Sequence, residues 1–204
     1  MDQNIFLEKQ SILQKQATEV LSNLDLVNVL SKYGEVKLVG SVALGLMTWP
    51  DIDIDLKSAS EINDKDYFEI IKYIFGQKNV KQLRLIDNRS SFEKNRPKSM
   101  YVGIIYDLGD IEWKIDVRYL SSVDAWAEDD LKQIKSKLTE DKTKKILEIK
   151  TAFHNHPKYR KEFSGYDIYN AVLDKNISTP TEFVDYLKNS GVDILSNDLE
   201  KIKK

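Results

Sequence analysis

The sequence predicts an α/β chain, either one compact α/β domain with a helical extension or two small domains. Three observations carry this. Short runs with strand character recur between residues 36 and 119, amphipathic helical stretches lie among them, and beyond Val123 the pattern is helical through most of the remainder. With 204 residues, a formal net charge of −2 and 41% hydrophobic residues, the chain is long enough to bury a core. It has no cysteine, which excludes disulfides and thiolate zinc sites. No apolar run approaches the roughly 18 residues that a bilayer span requires. The first residues lack the charged-then-apolar layout of a signal peptide, so a cytoplasmic protein with no membrane partner is expected. Near-neutral charge argues against a broad, salt-driven grip on nucleic acid and leaves room for a local basic strip.

From the N-terminus, Ile12, Leu13, Ala17, Val20, Leu21 and Leu24 fall at helical spacing. They predict one amphipathic helix over about 5–31 or two short ones, with a break at Asn23 or Asp25. Gly34 is read as the stop. Val36 to Val39 is a short buried strand, Gly40-Ser41 turns into a short helix, and Trp49-Pro50 breaks it. Asp51 to Leu56 is the next strand. Residues 64–75 form a helix ending at Gly76, with aromatics assigned to the core, and Val80 to Ile86 a strand. The polar segment Asp87 to Ser99 carries Arg89, Lys94, Arg96 and Lys98. It reads as a solvated loop or as a lid that clamps phosphate. Tyr101 to Tyr106 and Ile111 to Tyr119 are two strands joined by a hairpin turn at Asp107-Leu108-Gly109-Asp110. Helices are expected at Asp124-Ala125-Trp126, Leu138 to Phe153, Tyr166 to Leu173 and Thr181 to Leu187, the last opening with Pro180 in its first turn. His154 and His156 invite a zinc reading, but no third ligand is evident, and a charged helix terminus accounts for them equally.

Chemistry concentrates in Pro50-Asp51-Ile52-Asp53-Ile54-Asp55-Leu56. Side chains alternate along a strand, so the three aspartates share one face and Ile52, Ile54 and Leu56 the other. Like charges held together destabilise unless something lies between them, and hard carboxylate oxygens suit magnesium. Just upstream, Gly40 allows close backbone approach, and Ser41 adds a hydroxyl at a helix start. On the later strand Glu112, Lys114, Asp116 and Arg118 share a face. Taken alone, Asp116 reads as one half of an ion pair with Lys114 or Arg118.

Together, Gly40-Ser41, Gly45, Pro50-Asp51 and Asp53-Ile54-Asp55-Leu56 resemble the hG[GS]…DhDh signature of the polymerase β-like nucleotidyltransferase superfamily. The resemblance is specific between about 36 and 57. It implies a small mixed sheet with flanking helices, a catalytic domain over 1–122 and a helical C-terminal region over 123–204. It also implies two magnesium ions on Asp53, Asp55 and Asp116, and an NTP, ATP by expectation, held by Gly40 and Ser41. Lys114 and Arg118 are the further candidate nucleotide-binding residues. Asp51-Ile52-Asp53-Ile54 fits the signature too, so the metal pair begins at Asp51 or at Asp53; the later register is preferred because an extra Asp often precedes the pair. The implied reaction transfers a nucleoside monophosphate, AMP by expectation, to an acceptor hydroxyl. Small relatives with a helical tail act on aminoglycosides or lincosamides, and Glu162, Asp167, Asp174 and Asp185 would suit a cationic acceptor. Toxin- and antitoxin-associated relatives act on tRNA or a partner protein. Val42 stands where many members carry a polar or basic residue, which keeps an inactive nucleotide sensor open as a third reading.

Overall fold

Apolar residues at every second position along the predicted strands require a sheet with one buried face. The computed structural model, which describes residues 4–59, 61, 63–90, 98–121 and 128–194, contains that sheet. Its strands are β1 (Glu35–Val39), β2 (Asp51–Lys57), β3 (Val80–Asp87), β4 (Ser99–Leu108) and β5 (Ile111–Leu120), in the spatial order β1-β2-β5-β4-β3. All neighbours are antiparallel except β2 and β5, which run parallel. The predicted hairpin joins β4 to β5, and Gly109 at its tip has φ 63°, a value that favours glycine.

One face of the sheet is the core. Ile52, Ile54 and Leu56 of β2 lie beside Trp113, Ile115, Val117 and Tyr119 of β5 and Val102 and Ile104 of β4, all buried. Among the helices, three supply two or more residues each to the same cluster. These are α1 (Asn4–Asn23), which supplies Leu13, Ala17 and Val20, α2 (Leu26–Leu30), and α4 (Asp64–Phe75), which supplies Tyr67, Ile70 and Ile74. The break between α1 and α2 falls at Asp25, whose φ of 46° is left-handed, a conformation aspartate tolerates better than most residues. Asn63 caps α4 by accepting a hydrogen bond from the Asp66 amide at 3.0 Å. Gly34 is needed for a different reason than a helix stop. A Cβ there would run into the backbone carbonyl of Lys57, so the glycine lets the chain enter β1 tight against β2.

Past β5 the described chain is helical: α5 (Glu128–Lys137), α6 (Glu140–Phe153), α7 (Gly165–Lys175) and α8 (Pro180–Asn189). Thr139 and Thr179 cap α6 and α8 through their hydroxyls. Phe153, Phe163 and Phe183 pack edge to face, with centroids 5.2–5.9 Å apart. Contacts divide the chain into two compact units, Leu13–Leu131 and Met1–Ile12 with Lys132–Lys204. The expected boundary at 122/123 and the helix expected at Asp124-Ala125-Trp126 lie outside the described residues. No helix among the described residues is long and apolar enough to cross a membrane.

Replacing Gly34 by alanine forces β1 away from the Lys57 carbonyl. Overpacking of this kind costs about 1–3 kcal/mol, and urea denaturation of Gly34→Ala should give a midpoint lower than the parent's by a corresponding amount.

Candidate active site

The face opposite the core carries the charged residues, and the parallel register of β2 and β5 arranges them in rows. Asp51 lies across from Lys114, Asp53 from Asp116, and Asp55 from Arg118. The outer rows are therefore oppositely charged and the middle row is not. Neighbouring strands lie about 4.8 Å apart, close enough for facing like charges to oppose one another.

Each row resolves its charge differently. Asp55 is completely buried, and Arg118 grips it in a fork, with Nε donating to Oδ1 at 2.7 Å and Nη2 to Oδ2 at 2.8 Å. Burial pushes the Asp55 carboxyl upward, and the Arg118 guanidinium pulls it back only in part. Asp51 accepts a hydrogen bond from the indole N–H of Trp49 at 3.2 Å, and the Lys114 ammonium lies 3.4 Å from its other oxygen. Lys114 also donates to Asp116, which accepts a second bond, at 2.7 Å, from the Tyr101 hydroxyl. Burial and that bond raise the Tyr101 pKa, keeping the phenol a donor.

Asp53 has no such partner: among the described residues no hydrogen-bond donor meets its carboxylate. Its pKa is pushed up to about 7, first by burial, then by the negative charges of Asp51 and Asp116; Lys114 and Arg118 offset this in part. Gly40 is packed directly against it. A Cβ at Gly40 would collide with an Asp53 carboxylate oxygen, and the residue's φ is 62°. Gly40 starts α3 (Gly40–Leu44), the short helix that follows β1, and Ser41 is largely buried in it. Glycine is required here twice over, by conformation and by space.

The structure thus brings together Gly40, Asp53, Asp116 and Lys114, with Ser41 beside them in the chain. It separates Asp55, which the sequence paired with Asp53 as a ligand, by committing its carboxylate to Arg118. Asp51, the alternative start of the acidic pair, faces Asp53 closely enough to raise its pKa. The donor set suits a hard cation, since it is built from carboxylate oxygens without imidazole or thiolate. Among the described residues, however, no three His, Cys, Asp or Glu side chains converge closely enough to enclose a metal. The positive charge at the centre is the Lys114 ammonium.

Tyr101 and Trp49 were not singled out from sequence. For Tyr101 a signal existed: a two-residue turn at Gly109-Asp110 fixes the hairpin register, which sets Tyr101 across from Arg118 and Gly103 across from Asp116. Of the expected lid, residues 91–97 lie outside the described residues, and Arg89 is held by Asp87 and Asp64 at 2.7 and 2.6 Å. In the helical unit, Glu162 pairs with Lys158, Asp174 with Lys137, and Asp167 caps α7 through the Ser164 amide and hydroxyl. Three of the four acids proposed to attract a cationic acceptor are therefore engaged by partners within the helical unit, leaving Asp185 on the surface. His154 bonds the Thr151 carbonyl, and His156 is buried against Phe153 and Phe163.

No family model matches the chain, and no curated protein matches it in sequence. Solved structures do resemble it in fold. The Cid1 poly(U) polymerase, described with magnesium and 3′-dATP bound, aligns with a TM-score of 0.56 at 16% identity over 78% of this chain. The non-canonical poly(A) polymerase complex GLD-2–GLD-3 aligns at 0.55 and 17% identity over 93%. The polymerase core of the RNA surveillance complex TRAMP aligns at 0.58 and 11% identity over 88%. This chain spans 49%, 64% and 59% of those chains, respectively.

A carboxylate with a folded-state pKa near 7 binds its proton more tightly folded than unfolded, so its ionisation opposes folding. The cost begins as pH rises above the ordinary carboxylate range and is complete above about 7. Asp53→Asn should therefore melt above the parent at pH 8 in the absence of divalent cations, with the advantage shrinking toward pH 5. An advantage that does not vary with pH would mean that Asp53 is not strained by its charge.

Proposed function

Since the chain has the polymerase β-like nucleotidyltransferase fold, we propose that it transfers a nucleoside monophosphate from an NTP to a hydroxyl acceptor. The observation that carries this reading is the like-charged row, Asp53 facing Asp116, with Gly40 packed against Asp53. A fold does not need two facing aspartates on its solvent side, and a cation-dependent reaction does. The magnesium described with the Cid1 enzyme supports the same choice of ion.

Asp53 and Asp116 would hold magnesium, with Asp51 completing the set once the Lys114 ammonium leaves Asp116. Asp51-Ile52-Asp53-Ile54 is then the acidic pair, and Asp55 serves elsewhere. Bound there, magnesium would neutralise the departing pyrophosphate and lower the pKa of the attacking hydroxyl. Gly40 lets the phosphate chain approach the backbone beside Asp53, and Ser41 lies at the same turn. Lys114, released from Asp116, is placed to pair with a phosphate oxygen. Tyr101 keeps one Asp116 oxygen turned toward β4 and leaves the other for the cation. ATP is the expected donor.

For the acceptor we favour an RNA hydroxyl over an aminoglycoside or lincosamide. The neighbouring structures are described as poly(U) and poly(A) polymerases and as the polymerase core of an RNA surveillance complex. Three of the four acids that recommended a cationic antibiotic are occupied by Lys158, Lys137 and the cap of α7.

Incubation with each labelled NTP, magnesium and a panel of oligoribonucleotides, bulk tRNA and aminoglycosides tests both halves. Label should move to RNA, and Asp53→Ala, Asp116→Ala and Asp51→Ala should each lose more than the roughly hundredfold that removal of a supporting contact costs. Label transfer that survives Asp53→Ala would end the assignment of the centre, and transfer confined to aminoglycosides would reverse the choice of acceptor.

A further inference from the structure

The Asp55–Arg118 pair is the feature of this face that the cation chemistry leaves unused. Asp55 is fully buried, yet the side chain that neutralises it is 42% exposed. A pair serving stability alone has no need to bring a guanidinium to the surface, since buried pairs return little net stability. Nε and one Nη2 hydrogen are spent on Asp55. Among the described residues no acceptor meets Nη1, so the end-on edge of the guanidinium points outward with its plane fixed from below. That is a preformed donor for a tetrahedral oxyanion.

Its position says which anion. β1 and β2 are antiparallel, with Lys37 across from Asp55 and Val39 across from Asp53, so Gly40-Ser41 lies toward the Asp51 end of β2. Arg118 lies across from Asp55, at the other end. The facing pair Asp53 and Asp116 stands between them. In an in-line displacement the attacking hydroxyl and the leaving group occupy opposite sides of the phosphorus. With the triphosphate tail at the Gly40-Ser41 turn, the acceptor arrives from the Arg118 end.

Resting on the transferase reading above, we infer that Arg118, held by Asp55, binds the phosphodiester next to the 3′ hydroxyl of a polynucleotide acceptor rather than the NTP. Asp55 is then a positioning residue: it holds no cation and touches no substrate, and it fixes the plane in which Arg118 meets the phosphate. Arg118 thereby leaves the group of nucleotide-binding residues expected from the sequence.

The test is equilibrium binding, independent of turnover. Fluorescence anisotropy with a labelled single-stranded oligoribonucleotide, and separately with a labelled non-hydrolysable NTP plus magnesium, compares the parent with Arg118→Ala, Arg118→Lys and Asp55→Asn. Arg118→Ala leaves Asp55 buried without a partner, which strongly destabilises the fold, so the double variant Asp55→Asn/Arg118→Gln, which removes both charges, is measured beside it. Loss of the arginine should weaken RNA binding by roughly tenfold or more, the scale of a hydrogen bond to a charged group, and leave NTP binding unchanged. Arg118→Lys and Asp55→Asn should fall between, since each keeps the charge and loses the fixed fork. An RNA whose last linkage is a neutral methylphosphonate should bind the parent and the double variant equally.

RNA affinity unchanged in the double variant overturns the inference, as does a loss that appears in NTP binding instead. A parent that binds the NTP and no RNA also overturns it, while the transferase reading stands. A parent that binds RNA and no NTP removes that reading and the inference with it.

Discussion

Parallel pairing of β2 with β5 is the constraint on which the rest of this face depends. It sets Asp53 across from Asp116 while giving each flanking aspartate an opposite charge, Lys114 for Asp51 and Arg118 for Asp55. A shift of one residue would turn the acids into the core, and a shift of two would pair Asp53 with a cation and remove the like-charged row. The register is held by the other face, where Ile52, Ile54 and Leu56 interlock with Ile115, Val117 and Tyr119 in the core. The hydrophobic face thus sets where the charges stand, and hydrophobic burial supplies the free energy that offsets their repulsion.

Around the middle row the chain arranges neighbours that orient the acids. Tyr101 and Lys114 take hold of Asp116, Trp49 and Lys114 take hold of Asp51, and Gly40 closes on Asp53 without donating to it. Asp53 is left half-buried, crowded by negative charge and raised to a pKa of about 7. Perturbation of this kind is expected where a group awaits a ligand, because a fold selected for stability alone would pair it or replace it. Lys114 meanwhile touches the two acids on either side of Asp53, and so occupies with one positive charge the place that a cation-dependent reaction would assign to metal.

The site is also polar along the strands. The Gly40-Ser41 turn stands toward one end of the carboxylates and the Arg118 guanidinium toward the other. In the reading proposed above, that separation gives Asp55 a purpose distinct from its neighbours in the same run. The helical unit, by contrast, spends its acids internally, on Lys158, on Lys137 and on the cap of α7.

The sequence by itself determined the strands, the helices around them and the shared face of Asp51, Asp53 and Asp55, because alternation and helical spacing are local properties of the chain. It also pointed to Gly40 and to Asp116, through the spacing of a motif and the context of one strand. It could not divide three aspartates that are identical in type and in face, and it grouped Asp55 with Asp53. Only the tertiary structure decided their partners, since these depend on which residue of β5 comes to lie beside each of them, more than sixty positions away in the chain. Gly34 makes the same point in the backbone: its glycine looked like the end of a helix, and its reason is the Lys57 carbonyl of a strand still to come. Long-range register assigns roles, because a carboxylate takes its chemistry from the charge placed opposite it.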